Sequence, residues 1–155
     1  MLLYRLGKQP YIQDTSGQGG LYHAARWHEK GTRILYTSEH LSLAKLEVLV
    51  NAATLPRSYF ALTLEVPNNT PVKVIEAAAL PPRWTRIPYP QELALLTREW
   101  LTEGKYWLMK VPSAQAPSEW NYLLNPLHPA HRKLRIVSLE PHPFDPRLKR
   151  NEELA

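Results

Sequence analysis

The chain has 155 residues, 44% of them apolar and 21% charged, and no cysteine. Such a length and balance fit a single globular domain and exclude a mainly disordered chain, while the lack of thiols excludes disulfide frameworks, thiolate zinc sites and cysteine nucleophiles. The 19 Lys and Arg against 14 Asp and Glu leave a net charge of +5, which favours an anionic partner: nucleic acid, a phosphate-bearing small molecule or an acidic protein.

The first residues, Leu2 to Leu6, read as a short strand. The start Met1-Leu2-Leu3-Tyr4-Arg5 has no basic leader followed by an apolar segment, so a cytoplasmic protein is expected. No stretch approaches the roughly 18 apolar residues of a membrane span, so no membrane partner is expected. Residues 13–20 contain Gly17, Gly19 and Gly20 and read as a mobile loop, a potential lid over a neighbouring site. Tyr22 to Trp27 reads as a strand, Glu29-Lys30-Gly31 as a turn, and Arg33 to Thr37 as a second strand.

Ser38 is an expected N-cap, with Glu39 in the first turn of a helix that runs to about Asn51. Leu43, Leu46, Glu47 and Val50 then share one face, and Leu41, Ala44 and Val48 an adjoining one. A helix apolar on most sides is expected to be buried. Phe60 to Val66 alternates as a strand should, and Pro71 to Ala77 reads as another. The chain holds 15 prolines, about twice the usual ~5%, and residues 81–90 form a proline-rich connector. Gln91 to Glu103 reads as a helix between Pro90 and a Gly104 stop. Tyr106 to Val111 and Leu134 to Leu139 read as strands. Between them, Asn121 to Arg132 reads as irregular, with turns at Asn125-Pro126 and His128-Pro129. The order predicts a mixed α/β (α+β) domain over residues 1–148 and a polar, exposed tail over 149–155, without a regular βαβ repeat.

Glu47 has two readings: a carboxylate that reaches solvent or a lysine, or one held in a partly dry site to orient a hydroxyl or stabilise positive charge. Arg26, between Ala25 and Trp27, is either a surface arginine or a planar fork for phosphate or carboxylate. Tyr36, just before the helix, either fills the core or stacks on a ring. Ser113 follows a strand end and reads as a turn cap. No G-x-S-x-G elbow surrounds it, which argues against a serine hydrolase. His128 and His131 lack the helical setting of a ligand pair, and no metal is expected. Gly17-Gln18-Gly19-Gly20 is not a P-loop. The basic residues are dispersed with no RNA-binding aromatic signature, so no direct nucleic-acid binding is expected.

In order along the chain, the segments Tyr4-Arg5-Leu6, Ala25-Arg26-Trp27-His28, Ile34 to Glu39 and Leu43 to Leu49 resemble the RES-domain family. Val111-Pro112-Ser113, Asn121 to Pro126 and Phe144 to Leu148 continue that resemblance. The Arg, Glu and Ser that give the family its name fall on Arg26, Glu47 and Ser113. The chain departs from the family pattern at Ala24 and Ala25, where Gly-Gly is usual, and at His28, where Asn is usual.

The resemblance implies a small split-sheet fold similar to ADP-ribosyltransferase toxins. It implies a bacterial toxin that cleaves the nicotinamide–ribose bond of NAD, with NAD as substrate and no cofactor. It implies a cognate helix-turn-helix antitoxin that covers the site. Arg26, Glu47 and Tyr36 are then the expected catalytic residues. Glu47 holds a ribose hydroxyl and stabilises the cationic sugar, Arg26 binds pyrophosphate or orients the ribose, and Tyr36 stacks on nicotinamide. Ser113 and Asn125 hydrogen-bond the ligand or Glu47 itself. Two alternatives are a protein ADP-ribosyltransferase that uses NAD and a non-catalytic basic binding module.

Overall fold

A computed structural model describes residues 1–149. Seven strands form one sheet in the order β4-β5-β6-β2-β1-β3-β7. In chain order they are β1 (Leu2–Lys8), β2 (Leu35–Ser38), β3 (Tyr59–Glu65), β4 (Val72–Val74), β5 (Leu108–Pro112), β6 (Trp120–Leu124) and β7 (Arg135–Pro141). The helices are α1 (Gly19–Tyr22), α2 (Leu41–Asn51) and α3 (Gln91–Glu103). β4 and β5 pair in parallel, and every other neighbouring pair is antiparallel. The expected mixed α/β class, without a doubly wound sheet, is what forms.

The sheet is nearly severed in its middle. β1 and β3 register along seven residue pairs, from Leu2–Glu65 to Lys8–Tyr59. β2 and β6 register along four. Between these two halves, β1 and β2 share the single registered pair Tyr4–Ser38. Strands that diverge beyond one pair leave a wedge, and α2, which packs on β1 and β2, forms its third wall.

Alternation puts apolar side chains on both faces of the sheet. Leu108 and Leu124 join Leu3, Leu35, Leu62 and Leu64 on one side. Met109, Val111 and Leu123 pack on the other with Trp27, Leu93 and Trp100. α3 supplies Leu93, Thr97 and Trp100 as its buried stripe and ends at Gly104, whose φ of 63° is the left-handed C-cap expected there.

Several sequence expectations give way to tertiary context. Tyr22 to Trp27 is no strand: α1 ends at Tyr22, and only an isolated bridge links Ala25 to His28. The segment around Gly17 to Gly20 is a packed turn rather than a loose loop. Gly17 and Gly20 are both buried, and the Gly20 carbonyl accepts from the backbone N–H groups of Gly31 and Thr32. A Cβ on Gly20 would lie 2.0 Å from the Thr32 carbonyl oxygen, so only glycine fits. This removes the lid reading for that segment.

Ser38 ends β2 and caps nothing; His40, in extended conformation, precedes α2. Glu39 likewise lies outside the helix, where its Oε1 accepts from Trp120 N. α2 is not buried on most sides, since Leu46 and Val50 are 41% and 51% exposed. The segment read as irregular from Asn121 opens with β6 and continues, after a turn, as a 3-10 helix over Pro129–Lys133. The tail expected over 149–155 falls, beyond Lys149, outside the described residues.

Candidate active site

The wedge between the half-sheets is a cleft of about 480 Å³, within the range of small-molecule sites. β1 contributes Tyr4 and Arg5, β2 contributes Tyr36 to Ser38, and the segment after α1 contributes Arg26. α2 presents Ala44, Glu47, Val48 and Asn51, at spacing i, i+3, i+4, i+7, which is one helix face. Val50 borders the cleft as well, so the lining is rotated from the expected face at Leu43 and Leu46, while Glu47 and Val50 belong to both.

Glu47 is held by residues from two other elements. Ser113, completely buried just past β5, donates from Oγ to Glu47 Oε1 at 2.7 Å. Asn121 of β6 donates from Nδ2 to the same oxygen at 2.7 Å. Asn121 is fixed in turn by Ser38, whose Oγ donates to Asn121 Oδ1 at 2.6 Å. Ser113 Oγ also accepts from the backbone N–H groups of Gln115 and Ala116 at 3.1 and 3.2 Å. Its proton and its lone pairs are therefore all committed, so the oxygen is a support and not a nucleophile. Both donors meet Oε1, and among the described residues Oε2 has no hydrogen-bond partner, which leaves it for a ligand.

Arg26 reaches the cleft from the other side. Its Nη1 donates to the carbonyls of Trp84 and Arg86 at 2.9 and 3.1 Å, and its guanidinium lies 4.6 Å from the centre of the Tyr89 ring. The connector over 81–90 is thus anchored by Arg26 and brings Ile87 and Tyr89 to the cleft mouth. Burial lowers the Arg26 pKa, and Tyr89 and the Glu47 carboxylate oppose that shift. Arg26 and Glu47 thus put opposite charges in one cavity.

Arg5 is a second cation that the sequence reading left unassigned. Its Nη1 donates to the carbonyls of Ile12 and Asp14 at 3.4 and 3.1 Å. Burial pushes its pKa down to about 10, with Asp14 opposing, so it stays charged at neutral pH. Tyr36 borders the cleft with its hydroxyl 2.6 Å from His28 Nδ1. Burial pushes the phenol pKa up, against a backbone hydrogen bond from Trp27.

Asn125 is not brought to the cleft. It follows the far end of β6, and its Oδ1 accepts from Leu127 N at 3.0 Å as the cap of a turn. The asparagine in contact with Glu47 is Asn121, four residues earlier. Its strand had read as irregular, so nothing in the local pattern aimed it across the sheet. The histidines of the 128–131 segment have structural roles: His128 Nδ1 accepts from Ala130 N, and His131 bridges Trp107 Nε1 and the Thr15 carbonyl. Among the described residues one histidine–carboxylate grouping has metal-ligand spacing, Glu39, His40 and Glu119 at the start of α2. His40 Nε2 lies 3.6 and 3.7 Å from the two carboxylates, outside the cleft lining. No helix among the described residues is long and apolar enough to cross a membrane.

A family model described as RES domain matches residues 2–146. A curated relative named "Toxin Res" from Yersinia enterocolitica is 33% identical over 156 residues, covering 96% of this chain and all of its own. One named "Prs ADP-ribosylating toxin" from a Sphingobium species is 30% identical and covers 88% of both chains. Among solved structures, one in the Mycobacterium tuberculosis MbcT-MbcA toxin–antitoxin complex matches with a TM-score of 0.67 at 14% identity, over 95% of this chain and 85% of that one. That match shows the shared fold.

Proposed function

This chain belongs to the RES-domain family, and from that footing we propose that it is the toxin of a toxin–antitoxin pair that cleaves the nicotinamide–ribose bond of NAD. One observation carries the chemistry: Glu47, fixed on one oxygen by Ser113 and Asn121, shares a cleft with Arg26 and Arg5. A dinucleotide needs cations for its pyrophosphate and a carboxylate for its ribose, and this cleft has both.

The reaction asks little acid–base work of the protein. The bond from the ribose anomeric carbon to the pyridinium nitrogen breaks with its electron pair moving to nitrogen, so nicotinamide leaves neutral. The sugar becomes an oxocarbenium-like cation, and contacts to its 2-hydroxyl strengthen in that state. Glu47 Oε2 accepts from a ribose hydroxyl and faces the developing positive charge. Because Oε1 is already held, little reorganisation accompanies that charge. Arg26 grips phosphate or orients the ribose, and the Tyr36 ring faces the nicotinamide. Water attacks the anomeric carbon and yields ADP-ribose and a proton. Purified protein incubated with NAD should release nicotinamide.

The relative named as an ADP-ribosylating toxin supports a second reading, in which a protein side chain takes the ribose instead of water. Labelled NAD separates the two: label on a protein band means transfer, and label confined to free ADP-ribose means hydrolysis. A non-catalytic basic module would release no nicotinamide at all. The cognate partner, expected as a helix-turn-helix antitoxin, would inhibit release by covering the cleft. The fold shared with a protein solved in a toxin–antitoxin complex supports this.

A further inference from the structure

We propose that His28 is a positioning residue for the cleft: it accepts the hydrogen bond of the Tyr36 hydroxyl, so that Tyr36 meets a ligand as an electron-rich ring and not as a hydrogen-bond donor. The identity of that ligand rests on the NAD reading; the His28–Tyr36 arrangement does not.

His28 is only 5% exposed. Its Nε2 lies 2.8 Å from the His23 carbonyl oxygen, and its Nδ1 lies 2.6 Å from the Tyr36 hydroxyl. A carbonyl oxygen only accepts, so Nε2 carries the ring's proton. A neutral imidazole has one N–H, so Nδ1 is bare and accepts from Tyr36. Burial lowers the imidazole pKa, opposed by the His23 carbonyl, which keeps the ring neutral at neutral pH.

The surroundings preserve this arrangement. The Gly20 site leaves room for the ring, since a Cβ there would lie 3.1 Å from His28 Nε2. Behind His28 lies a second cavity of about 210 Å³, bordered by Thr32, Thr97 and the ion-paired Glu29 and Arg98. Among the described residues, Tyr36 of β2 bonds the ring, His23 meets it through its carbonyl, and the charged groups that border the same rear cavity are Glu29 and Arg98 of α3. Tyr36 borders the cleft and His28 borders the rear cavity.

The chemical consequence is polarity. With its proton committed, the phenol offers a cationic ring only its π face and oxygen lone pairs, which suits a pyridinium. A protonated His28 would donate from Nδ1 into the Tyr36 oxygen, turn the hydroxyl proton outward and add a like charge near the ligand. Since the ring's pKa is lowered, this inversion falls on the acid side of the ordinary imidazole value of about 6.5. An asparagine at this position can also accept from Tyr36, but it does not titrate.

The test has two arms on the full chain. Nitrogen-15 NMR of the His28 ring at neutral pH should show Nδ1 unprotonated and Nε2 protonated; a protonated Nδ1 overturns the proposal. This readout stands even if the protein releases no nicotinamide, so it separates failure of the proposal from failure of the NAD reading. In kinetics, His28→Leu should lower kcat by up to about 100-fold, the scale of a misplaced functional group. His28→Asn should restore most of that loss and remove the imidazole step from the acid limb of the rate profile. An Asn variant no better than the Leu variant, or one with the parent's acid limb, contradicts the proposal. The Asn variant keeps the test decisive if the Leu variant does not fold.

Discussion

Asn121 and Glu47 are 74 residues apart in the chain and 2.7 Å apart in space. The contact joins α2 to β6 across the side of the cleft, and Ser38 at the end of β2 fixes the asparagine in turn. Asn121→Ala should therefore lower kcat by up to about 100-fold, the scale of a misplaced reacting group, and leave the buried Ser38 hydroxyl short of a partner, at a cost of about 1–3 kcal/mol. By contrast, Asn125→Ala should cost about 1 kcal/mol for the lost turn cap and leave kcat at the parent value. Steady-state kinetics and thermal unfolding of the two variants, side by side, check the assignment.

Ser113→Ala removes a donor to Glu47 and strands two backbone N–H groups, those of Gln115 and Ala116. We expect a stability loss of about 1–3 kcal/mol together with a fall in kcat. Residual nicotinamide release should remain measurable, because the serine supports the carboxylate and takes no bond in the reaction. Complete loss of turnover in a folded Ser113→Ala protein would give the serine a direct chemical role instead.

Arg26→Lys should behave much like Arg26→Ala. A lysine cannot both reach the two carbonyls of the connector and lie flat on the Tyr89 ring. Either change should raise KM for NAD and loosen the segment over 81–90. Limited proteolysis of that segment, read beside the kinetics, should show faster cleavage in both variants.

Gly20→Ala forces a methyl group to 2.0 Å from the Thr32 carbonyl oxygen, a backbone atom that cannot swing aside. It should destabilise the protein by about 2–4 kcal/mol. Gly19→Ala, where a Cβ meets nothing within 4 Å, should be neutral or stabilising by up to about 1 kcal/mol. Chemical denaturation of both variants tests whether this segment is a packed turn.

The parts of this molecule legible in the sequence are those set by local pattern. Alternation marked β3, and the Pro90–Gly104 bracket marked α3. Glu47 and Arg26 stood out as charges among apolar neighbours, and the cleft brings both to its lining. What stayed hidden depends on contacts between distant segments. Leu123 and Leu124 of β6 are buried on opposite faces of the sheet, so the strand shows no alternation to read. Ser38 looks like a helix cap because serine commonly is one, yet its hydroxyl is drawn to Asn121. The glycines near residue 20 look loose in sequence and are tight in space, because the approach of the Thr32 carbonyl is invisible to local reading.

The most direct measurement is nicotinamide release from NAD by the purified protein and by its Glu47→Gln variant, which keeps shape and loses charge. The account predicts release by the parent and a rate lower by about 10²–10³ in the variant. A folded parent that leaves NAD intact, or a Glu47→Gln protein that matches the parent rate, contradicts it.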